Sequence, residues 1–275
     1  MSRLLVITHL TLHEAMRRRV LLAALIGGAA FLVLYAIGFY FIARDQANAT
    51  MIEKRMTLNA ITLAGLYAVN LLTVMSAVLL PVDAISGEIA SGSMQTLASK
   101  PMRRAEIVLG KWLAYALVVI GYLAGMAGGV LAIARLIGRF SPPGVGDGLP
   151  LMVLEALLLV SVSIAGGTRL STVTNGMAAF GLYGVAFVGH WVEQIGTFVD
   201  NAAARNVGTV ASLVMPSEAM WQRAAWLMQP TIMRELHNSP FSPASVASPA
   251  MVGWAAVYAL IAVTLATRWF GRRGL

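Results

Sequence analysis

The chain has 275 residues, 58% hydrophobic and only 12% charged, where a typical soluble domain carries about 45–50% and about 25%. So little charge cannot cover a globular surface, and a mean hydropathy of +0.76 agrees; soluble enzyme folds are excluded and an integral membrane protein remains. The net charge of +8 follows from basic residues flanking membrane helices and does not imply nucleic acid, while the absence of cysteine excludes disulfides, thiolate metal sites and cysteine nucleophiles.

At about 20 apolar residues per crossing, this length holds roughly six to eight helices. Residues 1–19 read as an N-terminal interfacial helix on the inner membrane surface, with Leu4, Leu5, Thr8, Leu12, Ala15 and Met16 as its apolar stripe. Val6, Ile7 and Leu10 fall on its other side. The first span, 20–43, follows the Arg17-Arg18-Arg19 cluster; it is too long for a cleavable signal and is expected to stay as an anchor. The second, 56–82, holds Asn59 and Asn70, and Asn48-Ala49-Thr50 before it is a formal glycosylation sequon. The third, 112–134, carries Gly121, Gly125 and Gly129 at intervals of four, which reads as a helix-packing face. The fourth, 148–168, is interrupted by Glu155; the fifth, 170–192, ends in His190-Trp191; the sixth is 249–267. The expected fold class is therefore all-α integral membrane, one transmembrane domain of six helices.

Residues 193–248 are too long for a simple connection and read as a structured outer cap. The apolar stretch 206–217 is too short to span. Residues 219–227, with Trp221 and Trp226 flanking Arg223, read as an interfacial helix. Prolines at 230, 240, 243 and 249 exclude a long helix beyond. A seventh, broken span is the alternative. The scattered methionines, among them Met215, Met220, Met228 and Met233, suit core filling better than a copper site.

Orientation follows from Lys and Arg. With the N-terminus inside, the inner segments hold Arg3, Arg17, Arg18, Arg19, Lys100, Arg103, Arg104, Lys111, Arg169, Arg268, Arg272 and Arg273, twelve in all. The outer segments hold the other eight: Arg44, Lys54, Arg55, Arg135, Arg139, Arg205, Arg223 and Arg234. Both termini are thus expected in the cytoplasm of a multi-pass cell-membrane protein.

Enzyme motifs are absent. No G-x-x-x-x-G-K-[ST] occurs, so the chain has no P-loop of its own. His13-Glu14 lacks the second histidine of a zinc protease, and His9 with His13 lacks a third ligand, so no metal is expected. Glu155 is the one ionisable residue inside a span, a functional position by default or else one that reaches interfacial water. His190 and Glu193 end the next span on the same side and can join it in a polar vestibule.

Residues 83–111 are the informative stretch. They run Asp83-Ala84-Ile85-Ser86-Gly87-Glu88, then Gly92-Ser93-Met94-Gln95-Thr96-Leu97-Ala98-Ser99-Lys100-Pro101, then Arg103-Arg104-Ala105-Glu106-Ile107, ending Gly110-Lys111. An amphipathic piece stopped by Pro101 precedes a second helix start. Charged residues alternating with apolar ones suit a protein interface.

The pattern D-x-I-S-x-E, G-[ST]-x-x-x-L, S-K-P-x-x-R, I-x-x-G-K resembles the ABC-2 type transporter permeases. The likeness covers nearly the whole chain, including Met215-Pro216-Ser217-Glu218 to Trp221 and the tail Phe270-Gly271-Arg272-Arg273. Among subfamilies it is most similar to the permease of nitrous-oxide-reductase maturation. The resemblance implies a permease subunit, expected to export, that forms its pathway as a homodimer or with a similar permease. A separate P-loop ATPase holds the ATP and Mg, with no cofactor on this chain. It also implies a cytoplasmic coupling helix in this loop, placing coupling on Asp83, Glu88, Gly92, Leu97, Arg103 and Arg104. The rivals are an ion-gradient-driven transporter or channel, and a membrane-embedded enzyme.

Overall fold

The computed structural model describes residues 3–92, 103–236 and 245–272. Leu97 and the amphipathic piece at 93–102 lie outside the described residues. Those described form only helices, in the order α1 (Arg3–Met16), α2 (Arg19–Asp45), a 3₁₀ turn (Gln46–Asn48), α3 (Met51–Leu79) and α4 (Ser86–Ala90). Then come α5 (Arg104–Gly138), α6 (Val145–Gly167), α7 (Thr172–Phe198), α8 (Ala202–Val214), α9 (Ser217–Leu227), α10 (Thr231–Leu236) and α11 (Pro249–Gly271).

Side-chain caps start these helices where the sequence supplies them. Thr50 accepts from the Glu53 amide at 3.3 Å, and Glu53 accepts from the Thr50 amide at 3.0 Å. This capping box opens α3, so the threonine of the sequon is committed to a helix start. Glu106 accepts from the Arg103 amide at 2.9 Å and opens α5 in the same manner. Ser248 caps α11, which begins on Pro249, a residue whose missing N–H costs nothing at a first turn.

Five helices, α2, α3, α5, α6 and α11, are long and apolar enough to cross a membrane. The expected fifth span lies in α7, which has 27 residues but is not among the five; Asn175, His190, Glu193 and Gln194 dilute its apolar character. Expected span 112–134 lies inside the 35-residue α5; its first two turns continue beyond the apolar stretch.

α3 and α6 bury 61% and 67% of their apolar windows, α2 and α11 only 11% and 22%. The core is therefore built on α3, α5 and α6, with α2 and α11 applied outside. α1 lies along the start of α5, where Gly110 admits Ile7: a Cβ there would stand 2.7 Å from the isoleucine. The packed face of α1 is Ile7, Thr8, Thr11 and Ala15. Of the expected stripe, Thr8 and Ala15 are buried in this packing, whereas Leu5 and Met16 remain exposed on the outer surface. Within the described residues the glycine face of α5 is used in part. Gly129 meets Leu32 of α2, but nothing lies near Gly121 or Gly125. The glycines that admit neighbours stand elsewhere, at Gly28, Gly65, Gly110, Gly148 and Gly189.

One end of the bundle gathers α1, residues 80–92, the start of α5, the α6–α7 turn and the end of α11. Arg18 donates to the Leu80 carbonyl at 3.4 Å, and Arg104 to the Gly271 carbonyl at 3.4 Å. The Asn175 amide donates to Val82 at 3.0 Å and to Ser163 at 2.8 Å, pinning the α6–α7 turn beneath this segment. The opposite end carries the 3₁₀ turn, the α5–α6 turn and α8 to α10. There α8 folds back along α7, with Gly196 against Ala204 and Gly189 against Ala211, and α9 returns along α6 until Met228 meets Gly148.

α8 and α9 thus form a hairpin that enters the bundle and turns at Met215-Pro216-Ser217, whose Met215 and Ser217 are wholly buried. The interfacial reading of 219–227 is overturned. Trp221 is 2% exposed and packs on Tyr67 with centroids 5.4 Å apart, because the alanines of α9 let it approach the core. Met215, Met220, Met228 and Met233 are all buried around it. Gly189→Val is expected to push α8 from α7 and destabilise the purified protein by about 1–3 kcal/mol. Gly38→Val, at an open position on α2, leaves the melting temperature unchanged; equal losses would contradict this packing.

Candidate functional site

Two polar constellations stand out, one at each level of the bundle. The first is built on residues 80–92. Asp83 faces Arg18 in an ion pair, and Arg18 also pairs with Glu14 of α1 at 2.7 Å. Its guanidinium lies 5.8 Å from the Tyr115 ring centroid. Burial works against the charge on Arg18, but Tyr115, Glu14 and Asp83 outweigh it and raise its pKa above the ordinary value. Glu88, the third residue of α4, forms an ion pair with Lys111 of α5, whose side chain is only 4% exposed. Ser86 bonds Thr172 of α7 at 2.8 Å.

Of the expected coupling residues, Asp83, whose side chain stays partly exposed, and the more enclosed Glu88 fasten their segment to Arg18 at the α1–α2 break and to α5. Gly92 ends the described part at φ +76°, a left-handed conformation that suits glycine after a helix. Arg103 caps α5, and Arg104 reaches the end of α11. Leu97 lies outside the described residues.

The second constellation lies deep between α6, α7 and α9. Glu155 stands ten residues past the start of α6, about 15 Å along the helix at 1.5 Å per residue. It is 1% exposed, and neither carboxylate oxygen has a hydrogen bond of ordinary geometry, although Asn70 faces it from α3. It does not reach interfacial water. Its acidic neighbour is Glu218, at the start of α9, close enough for direct repulsion. Glu218 is 3% exposed; Oε1 accepts from the Gln222 amide at 3.0 Å, and Oε2 has no partner.

Glu218 also lines a cavity of about 80 Å³ together with His190, Glu193, Gln222 and Ser245. The Ser245 hydroxyl donates to Glu193. His190 and Glu193 of the expected vestibule line this cavity, whereas Glu155 does not and stands beside Glu218. Sequence reasoning missed Glu218, because a charge after a short apolar stretch reads as leaving the membrane. The available signal was Pro216, which makes a hairpin tip of that stretch. His9 and His13 lie far away on α1, their rings stacked at 6.4 Å.

Burial pushes the Glu218 carboxyl up to about 7, against the opposing pull of the Gln222 amide. Its unfolded counterpart titrates near 4.3. Its ionisation is thus harder in the folded state, and stability falls as pH rises from about 4.5 through 7. Glu218→Gln is expected to flatten that slope and to melt above wild type at pH 8 in detergent. An unchanged pH dependence would show that Glu218 is not the group responsible.

With this geometry in view, comparison with known proteins is informative. No curated protein matches the chain in sequence. The sequence model of the family described as ABC-2 family transporter protein matches residues 5–275, which includes both constellations and every helix from α2 onward. The membrane helices, the anchored 80–92 segment and this match across nearly the whole length agree, and the chain belongs to the ABC-2 family of membrane transporter proteins.

Proposed function

We propose that this chain is the permease subunit of an ATP-driven exporter, working as a homodimer or beside a similar permease, with a separate P-loop ATPase docked in the cytoplasm. The observation that carries the reading is the anchoring of residues 80–92 by Arg18–Asp83 and Lys111–Glu88. Switching a permease nearly completely between two states takes about 5.5 kcal/mol of differential binding. A segment that receives this energy must be rigidly joined to the helices that move. These two pairs join it to α1, α2 and α5 at once, and Gly92 leads on toward the residues that resemble the coupling helix.

We take α7 as the sixth crossing. Its 27 residues extend about 40 Å, more than the roughly 30 Å of hydrocarbon, and His190 and Glu193 face the chamber rather than lipid. Six crossings return both termini to one side, and the twelve-to-eight Lys and Arg distribution assigns that side to the cytoplasm. Open glycines at Gly121 and Gly125 leave a face that a second permease helix can approach closely. The chamber at Glu218, on the half of the bundle away from the coupling segment, supports release outward. The enclosed Glu155–Glu218 pair favours one second reading, transport driven by an ion gradient; transport by purified permease under a proton gradient without ATPase would select it.

Glu88→Lys breaks a nearly enclosed ion pair, a loss of about 3–5 kcal/mol. It is expected to abolish ATP-dependent transport while the ATPase still copurifies. Adding Lys111→Glu restores transport. Normal transport by Glu88→Lys alone would remove the mechanism. For topology, the cysteine-free chain gives a clean background. Cysteines at Asn48 and Ala203 are expected to react with an impermeant thiol reagent on intact cells, and one at Ser91 to stay unreacted; the reverse pattern would invert the orientation.

A further inference from the structure

The start of α3, the end of α5 and the α9–α10 turn enclose a cavity of about 770 Å³, within the range of about 300–1,000 Å³ usual for ligand sites. Four cations line it, Lys54, Arg55, Arg139 and Arg234, and no acidic residue does so among the described residues. Lys54, Arg55 and Arg139 have no ion-pair partner among the described residues. Glu53, their acidic neighbour, is occupied by the Thr50 cap. Arg234 lies over the Trp226 ring at 4.4 Å and donates through Nη2 to the Leu227 carbonyl, and its Nε is buried without an acceptor among the described residues. Arg139 has φ 49°, a left-handed conformation uncommon for a long side chain.

The walls are held in place. Asn59 donates to the Met228 carbonyl at 3.0 Å, tying the α9–α10 turn to α3. The backbone of Gly144, at φ +62°, lies so close to the Leu227 carbonyl that no side chain fits. The remaining wall is apolar, with Met51, Ile52, Leu58 and Phe140. Basic residues at helix ends ordinarily snorkel outward to the bilayer surface. Here four of them converge from three elements on one concavity, beside an apolar surface.

We propose that this cavity binds a phosphate-bearing lipid from the adjoining leaflet, its headgroup on Lys54, Arg55, Arg139 and Arg234 and its upper acyl chain on Met51, Ile52, Leu58 and Phe140. A water-soluble anion leaves the apolar wall wet. A zwitterionic lipid leaves the excess positive charge unneutralised. Basic pockets between membrane helices recognise anionic headgroups by this combination. The inference concerns binding and stands apart from the direction or driving force of transport.

The test is native mass spectrometry of the full chain with its copurified subunits, after incubation with phosphatidylglycerol, phosphatidylcholine or glycerol phosphate. Phosphatidylglycerol is expected to be retained at least about tenfold better than phosphatidylcholine, with glycerol phosphate not retained. Each of Lys54→Gln, Arg55→Gln and Arg139→Gln weakens retention about fivefold, and the three together nearly abolish it. Arg44→Gln, at the same end but outside the cavity, leaves it unchanged. Should the triple variant fail to fold, the single variants carry the test. Equal retention of the two lipids, an equal loss in Arg44→Gln, or glycerol phosphate binding as well as the intact lipid would each overturn the proposal.

Discussion

Arg18 is the residue on which one end of this architecture, the one that gathers α1 and residues 80–92, depends. It sits in the short break between α1 and α2 and reaches Glu14, Asp83, the Leu80 carbonyl and the Tyr115 ring. A guanidinium has five donors in a fixed fork, so a single side chain can orient three segments far apart in sequence. It adds a polar fastening to the packing of Ile7, Thr8, Thr11 and Ala15 that lays α1 along α5. The Lys111–Glu88 pair repeats the device one layer deeper. Together they make a charged loop part of the helical body.

The opposite half is organised by close approach. In lipid, helices gain little from apolar burial alone, and association depends on packing and on hydrogen bonds between helices. α7 and α8 meet through Gly189, Gly196 and Gly208. α3 and α9 are joined by the Asn59 amide. α5 and α6 are joined by Trp112, whose indole donates to Ser161 at 2.9 Å. The hairpin brings Glu218 down to Glu155. Two carboxylates at that depth, without cations beside them among the described residues, are costly in a membrane. An apolar pair would pack there more stably.

The two ends therefore have different physical characters. One is fastened by ion pairs that resist relative motion of α1, α5 and the 80–92 segment. The other is an assembly of short helices packed through glycines and alanines, with a small polar cavity among them.

The sequence by itself determined the membrane class, the first four crossings and the last, and the place of the informative loop. Long uncharged runs are legible because hydrocarbon tolerates little else. It also marked Glu155 as exceptional; His190 and Glu193, expected beside it, line a cavity that Glu218 and not Glu155 shares. Only the tertiary structure decided which faces pack. On α1 it is Ile7, not Leu5, that α5 receives at Gly110. The glycines at 121 and 125 repeat as packing glycines do, yet nothing among the described residues meets them. Trp221 has the composition of an interfacial residue but is buried by a hairpin whose depth no local pattern encodes. Glu218 became part of the site for the same reason: pairing across 63 residues of sequence, from 155 to 218, is set by the α8–α9 turn. Composition fixes what a segment can tolerate, whereas the partner it meets is a property of the folded whole.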